Sequence, residues 1–313
     1  MPDLMEAAGL VRNGVRVDDT FAEAFDMRGT GLVITAPTQR WAGIAAASLT
    51  GFATSIIACG VEAAPDRELA PDETPDGRPG VHVLLFAGST GELQKQVVNR
   101  VGQCVLTSPG SACYAGLVED SSAGGETLSL GDALRYFADG WQIAKRLDGR
   151  RYWRLPVMDG EFVIEGRTGL TKRAVGGGNL LLLARSWEGA LRAAEAVAEA
   201  VRRTPGAIAP FPGGVVRSGS KVGSKYKTLM ASTNDAYCPT LRGAVPSALD
   251  ADTAAVLEVV MDGLTTEAVA AAMRAGLAAA VALGPDQGAY RIGAGNYGGK
   301  LGKHHYHLRD LLG

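Results

Sequence analysis

Histidine and cysteine each occur only four times in 313 residues. The sequence contains no H-E-x-x-H, and Cys59, Cys104, Cys113 and Cys238 show no C-x-x-C spacing, so neither a zinc knuckle nor a disulfide scaffold is expected. His304, His305 and His307 cluster near the C-terminus, but on a segment that reads as an exposed polar tail rather than a convergent ligand set, so no metal site is expected. No G-x-S-x-G elbow is present, which with so few histidines argues against a Ser-His-Asp hydrolase. Arginine is spread along the chain without a basic block and the formal charge is -2, which argues against nucleic acid as a partner, since phosphate neutralisation needs a concentrated positive face. The opening MPDLMEAAGLVRNG lacks a basic segment followed by an apolar run, and no later apolar stretch approaches about 18 residues free of charge. A cytoplasmic protein without a membrane span is the expectation. GAGNYG (293–298) has G-x-G-x-x-G spacing, yet too little chain follows for the required helix and βαβ unit, and GSKVGSK lacks the spacing of a phosphate-binding P-loop. Dinucleotide binding and dehydrogenase chemistry are set aside.

What is present is the composition of an ordinary globular protein, 46% hydrophobic and 20% charged, in a chain long enough for two lobes. One order of elements occurs four times. GLVIT (31–35), RWAGIAAASL (40–49) and FATSIIA (52–58) read as strand, helix, strand, and VHVLLF (81–86), GELQKQVVNRV (91–101) and QCVLT (103–107) repeat the order. After the midpoint come NLLLLA (179–184), SWEGALRAAEAVAEAVRR (186–203) and AIAPF (207–211), then AVLEVVM (255–261), TTEAVAAAMRAGLAAAVA (265–282) and AYRIGA (289–294). Two such units in tandem make a βαββαβ lobe, so the fold class expected is α+β with two tandem ferredoxin-like (split βαβ) lobes. A boundary near Pro156 gives an N-terminal lobe over 1–156 and a C-terminal lobe over 157–313. The connection over 60–80 reads as a Pro- and Asp-rich loop. The longer one over 212–253 exceeds the ~15 residues beyond which a loop in a compact domain is usually functional or disordered.

That second loop holds ASTNDAYCPT (231–240), where Thr233, Asn234, Asp235 and Tyr237 follow one another without an apolar period. Lysines gather in two Gly-rich segments, GSKVGSKYK with Lys221, Lys225 and Lys227, and GGKLGK with Lys300 and Lys303. Lysine supplies a point charge and glycine lets backbone N–H groups approach an anion, so an anionic ligand is implied, with solvated loops as the bland alternative. Glu258 stands among valines in AVLEVVM. Both faces of that strand are apolar, which predicts a covered strand and a carboxyl whose charged form is disfavoured, with its pKa raised toward the range of a general acid. The alternative is an edge-strand glutamate that guards against aggregation.

VDDTFAEAF (17–25), TGFATSII (50–57), ETPDGRPGV (73–81), GQCVLT (102–107), APFPGGVV (209–216), SKVGSK (220–225), ASTNDAYCPT and AGNYGGKLG (294–302) closely resemble formylmethanofuran:tetrahydromethanopterin formyltransferase. The resemblance runs from about residue 15 to the C-terminus, is weaker over about 108–150, and leaves the first dozen residues as an extension. It implies a cytoplasmic transferase that moves a formyl group between methanofuran and tetrahydromethanopterin, or modified versions of both carriers, using no metal or redox prosthetic group. It also implies two related α/β lobes, a homotetramer, and in methylotrophic bacteria an association with hydrolase subunits similar to formylmethanofuran dehydrogenase, in formaldehyde oxidation. The Ala- and Arg-rich composition favours such a bacterium. On the matching motifs, Glu258 becomes the general acid/base, and Lys221, Ser224, Lys225, Thr233, Asn234, Asp235, Tyr237, Asn296, Lys300 and Gln103 become carrier-binding candidates. The competing reading is a catalytically idle subunit that binds or scaffolds a carrier for a formyl-hydrolysing complex.

Overall fold

The structure, a computed structural model, describes residues 9–117 and 125–312. It is a mixed α+β fold with a large mixed sheet and several helices, and its contacts group into two compact units. One unit holds Asp26–Ala174 with Gly263–Thr265; the other holds the chain up to Phe25, Val175–Asp262 and Thr266–Gly313. The contacts thus place the chain up to Phe25 with the C-terminal half, a grouping that a cut near Pro156 does not anticipate. The extension expected over the first dozen residues lies partly outside the described residues; Leu10–Arg12 is a strand paired with Val15–Val17.

In the unit around Asp26–Ala174, the long strand Phe21–Thr35 pairs antiparallel with Gly80–Ala87 on one side and Ala112–Ala115 on the other. Gly80–Ala87 pairs in turn with Val61–Leu69. Helices Gln39–Thr50 and Thr90–Arg100 place Ala42, Ala45, Leu49, Leu93 and Val97 against Leu32, Ile34, Val83 and Leu85, all at zero exposure. Each helix starts where a hydroxyl is available: Thr38 accepts from the Trp41 N–H and Ser89 from the Glu92 N–H. Two expected strands are displaced. FATSIIA gives a two-residue strand at Thr54–Ser55 and then a helical turn at Ile56–Cys59, while the strand itself is Val61–Leu69, inside the expected loop. Pro65 is tolerated there because the register shifts between Pro65 and Arg67, a bulge that spares the missing N–H. QCVLT is not a strand: Val101–Val105 continues the preceding helix as a π turn, and the strand is Ala112–Ala115. The ETPDGRPGV loop is tied down by Asp76, which accepts from Thr35 Oγ1 (2.7 Å), Tyr114 Oη (3.0 Å) and Arg78 Nε (2.8 Å).

In the other unit, the second half of Arg167–Ala184 pairs with Arg291–Gly293 and with Ala255–Gly263, and the latter also pairs with Ala207–Ile208. Ser186 caps Trp187–Arg202, which packs on Thr266–Gln287. A Cβ at Gly276 would stand 2.8 Å from Val197 Cγ1, so glycine sets how closely these helices meet. Thr266–Gln287 is long and apolar enough to cross a membrane by length and composition, yet Val269, Ala272, Met273, Leu277 and Ala280 are fully buried in the core. Its helical backbone breaks at Gly284 (φ 72), ahead of Pro285. The tail is not simply exposed: His304–His307 pairs with Phe21–Ala24, and Leu308 and Leu311 enter the core.

Candidate functional site

Glu258 lies mid-strand in Ala255–Gly263. Ala255, Leu257, Val259 and Met261 are buried in the core, while Val256, Glu258 and Val260 form a half-buried opposite face. The strand is paired on both sides, so the edge-guard reading of Glu258 fails. At Glu258 the start of the long loop pairs with the strand. Val216 donates to the Glu258 carbonyl (2.7 Å) and the Glu258 N–H donates back (2.9 Å). This return is built by APFPGGVV: Gly213 and Gly214 have φ of 64° and 84°, and a Cβ at Gly214 would stand 2.7 Å from that of Ala198. Only glycine takes both positions without strain.

A recess of about 40 Å³, room for a few waters or a formamide group, is lined by Glu258, Val256, Val216, Arg217, Ser218, Asn234, Tyr237 and Cys238 among others. The Glu258 carboxyl accepts no hydrogen bond among the described residues, and burial alone lifts its pKa to about 7. Tyr297 feels the same charge: burial first, then Glu258 and Glu23, push its phenol up.

The long loop is ordered by its own hydrogen bonds. Ser220–Val222 and Ala231–Thr233 form a hairpin, and Asp235–Tyr237 is a 3-10 turn, so ASTNDAYCPT is half strand, half turn. Lys221 Nζ and Asp235 Oδ2 are 2.6 Å apart, and Asp235 is held below the usual carboxylate range first by that hydrogen bond. Each therefore neutralises the other. Thr233 Oγ1 lies 3.5 Å from Cys238 Sγ, which reaches the Asn234 carbonyl at 3.4 Å. Tyr237 packs with Leu181, Leu249, Val256 and Tyr290, and burial raises its phenol. Ser224 Oγ accepts from the Tyr226 N–H, and Lys225 extends into solvent. Glu258, Asn234 and Tyr237 thus share one recess, Lys221, Thr233 and Asp235 sit on its hairpin and turn, and Ser224 and Lys225 lie at the hairpin tip. Gln103 is exposed on the π turn of the other unit.

The C-terminal Gly-rich segment differs from its sequence reading. Its amides do meet an anion, but the anion is Glu23. Oε2 accepts from the N–H groups of Tyr297 (2.6 Å) and Gly299 (2.8 Å), and Oε1 from Leu301 and Gly302 (2.6 Å each). Burial would raise this carboxyl, which is 1% exposed, yet the four donors hold it near 2. Asn296 is spent on the same junction, donating to Thr20 Oγ1 and the Phe21 carbonyl, whereas Lys300 extends into solvent. Sequence reasoning also misses Asp18, which accepts twice from Arg291 Nε (2.9 Å) while Arg291 Nη1 holds the Ala248 carbonyl below the Tyr237 turn. Asp18 and Glu23 both come from VDDTFAEAF, whose spaced acids are the available signal.

A carboxyl pushed up to about 7 by burial, in a recess fringed by hydrogen-bonding side chains, is an arrangement suited to acid–base group transfer. Comparison with known proteins narrows this. The family model described as formylmethanofuran-tetrahydromethanopterin formyltransferase matches residues 10–157, and that of its proximal lobe matches 160–311. A formyltransferase of the same name from Methylococcus capsulatus is 59% identical over 97% of this chain and 100% of its own length. A subunit of the formyltransferase/hydrolase complex of Methylorubrum extorquens is 57% identical over 96% of each chain. A crystal structure of that organism's complex with methylofuran contains a chain that superposes with a TM-score of 0.93 at 56% identity, covering 97% of this chain and 99% of that one. The chain belongs to the formylmethanofuran–tetrahydromethanopterin formyltransferase family.

Proposed function

We propose that the chain transfers a formyl group between a methanofuran-type amine and a ring nitrogen of a tetrahydromethanopterin-type carrier, with Glu258 as general acid/base. The observation that carries the assignment is the half-buried Glu258 carboxyl, pushed up to about 7 and without a hydrogen-bond partner among the described residues. Amine attack on a formamide gives a tetrahedral intermediate in which the entering nitrogen must lose a proton and the departing nitrogen must gain one. One carboxyl can take the first and return the second, and a pKa near neutrality keeps both of its forms available. The reaction as written needs no metal, redox group or covalent nucleophile.

Asn234, Tyr237 and the neighbouring Thr233, Asp235 and Lys221 would orient the formamide or pterin. Ser224, Lys225, Lys300 and Gln103 are proposed to meet the carriers' outer parts, because a recess of about 40 Å³ leaves most of either carrier outside it. For Asn296, a supporting role through the Phe21 junction is compatible with a binding one. We further propose two tandem ferredoxin-like lobes. In support, one unit orders its strands Val61–Leu69, Gly80–Ala87, Phe21–Thr35, Ala112–Ala115 and the other Ala207–Ile208, Ala255–Gly263, Arg167–Ala184, Arg291–Gly293, the same order by sequence rank. A division of the sequence near Pro156, a cytoplasmic setting, a homotetramer, and association with hydrolase subunits in a methylotroph's formaldehyde oxidation complete the reading. The Methylorubrum extorquens relative, which belongs to a formyltransferase/hydrolase complex, supports the last of these.

The test is formyl transfer by the purified chain, with Glu258→Gln alongside. Turnover that collapses while carrier binding persists supports the reading. Carrier binding by the wild type without transfer would favour an idle scaffolding subunit.

A further inference from the structure

A second cavity, of about 710 Å³, lies wholly within the Asp26–Ala174 unit. Its volume is in the range of small-molecule sites, and the reading of Glu258 makes no use of it. Arg146, Arg150, Arg151 and Arg167 line it, against Asp132, Asp148 and Glu165. Arg146, Arg150 and Arg151 stand on one hairpin, and Arg167 opens the strand Arg167–Ala184. Ile143–Leu147 and Arg150–Val157 pair across a two-residue turn whose Asp148 and Gly149 have φ of 50° and 78°, the geometry an Asp-Gly hairpin favours.

Register makes Arg146 and Arg151 direct cross-strand partners. Two like charges in that relation repel, so the hairpin carries an unfavourable pair unless something negative lies between or beside them. Among the described residues, carboxylates compensate only part of the charge. Arg150 faces Glu165 at 3.5 Å and Arg151 faces Asp132 at 3.7 Å, but Asp132 Oδ1 already accepts from Trp153 Nε1 at 2.8 Å. Arg167 donates to Thr127 Oγ1 and has no carboxylate partner among the described residues; Arg146 has no polar partner among them. The remaining acid, Asp148, is exposed at the hairpin tip, as Arg146, Arg151 and Arg167 also are, so the cavity opens to solvent on that side.

We infer that this cavity is a binding site for a small polyanion bearing carboxylate or phosphate groups, which Arg146 and Arg167 hold while Arg151 is relieved of its cross-strand repulsion. Planar guanidinium groups suit both kinds of oxyanion by paired N–H donation. The proposal stands apart from the formyl-transfer reading and can fail without it.

The experiment is calorimetric titration of the full chain with citrate and, separately, tripolyphosphate, at about 0.02 M and about 0.2 M ionic strength. Saturable binding of either probe, weaker at the higher salt, is expected, and which probe binds tells the carboxylate source from the phosphate one. Arg146→Gln with Arg167→Gln should weaken it by about tenfold or more. Arg274→Gln removes one charge from an exposed helical position outside the cavity and should change it by less than about twofold. Arg146→Gln should leave the ligand-free thermal midpoint unchanged or raise it, since it removes a repulsion. Absence of saturable heat with both probes, or equal weakening by Arg274→Gln, overturns the site.

Discussion

Glu23 and Glu258 are glutamates of the same compact unit with opposite environments. Glu23 sits in a cage of four backbone N–H donors and is held near 2; Glu258 sits against valines with no donor and is lifted to about 7. Burial alone does not decide what a carboxyl does. Donors turn the first into a permanently charged clasp for the Tyr297–Gly302 segment, and their absence leaves the second able to trade a proton near neutral pH.

The comparison can be broken in order of expected effect. Glu258→Gln keeps the shape and removes the proton-carrying group; turnover should fall by about 10²- to 10⁴-fold with carrier binding retained, read by transfer kinetics and equilibrium binding. Glu23→Gln should cost about 3 kcal/mol of folding stability at neutral pH, because an amide N–H would face backbone donors; denaturant unfolding measures it. A loss below about 1 kcal/mol would mean that the cage is not a clasp.

The pH dependences should run in opposite directions. Glu23 has a depressed pKa, so its contribution is fully present above about pH 4.5 and is lost as pH falls toward 2. Glu258 has a raised pKa. The folded state therefore binds more protons than the unfolded one between about 4.5 and 7, and its burial becomes a growing penalty as pH rises through that window. Glu258→Gln should accordingly be more stable than wild type at pH 8, by about 2 kcal/mol after allowance for partial exposure, and equal to it near pH 4. The smallest effect is expected at the Lys221–Asp235 pair, which is partly exposed: Lys221→Met should leave the thermal midpoint within error and raise the carrier KM by a few-fold.

The four long helices are legible in the sequence to within a residue or two at most of their ends, because their apolar period and, for three of them, the Thr38, Ser89 and Ser186 caps are local signals, whereas the four-residue helices such as Ile56–Cys59 are not. The extended end of Thr266–Gln287 is not legible either. Val61–Leu69 is not legible as a strand, since Pro65 and the acids around it read as loop until a bulge accommodates them. The π turn at Val101–Val105 reads as a strand because its Val and Cys suit either state and the choice depends on tertiary packing. At the site, valine spacing points to an unusual environment for Glu258, but the edge-strand alternative falls only once the strand is seen paired on both sides. The partner of the Gly-rich C-terminal segment cannot be read from the sequence: Glu23 precedes Gly302 by 279 positions, and the link exists only once the sheet brings both together.

The most direct measurement is carboxyl ¹³C NMR of glutamate-labelled protein through a pH titration, with assignments from Glu258→Gln and Glu23→Gln. The account expects one glutamate titrating near 7, absent in Glu258→Gln, and one that stays ionised down to about 2, absent in Glu23→Gln. Two residues titrating together near the ordinary value of about 4.3 would contradict it.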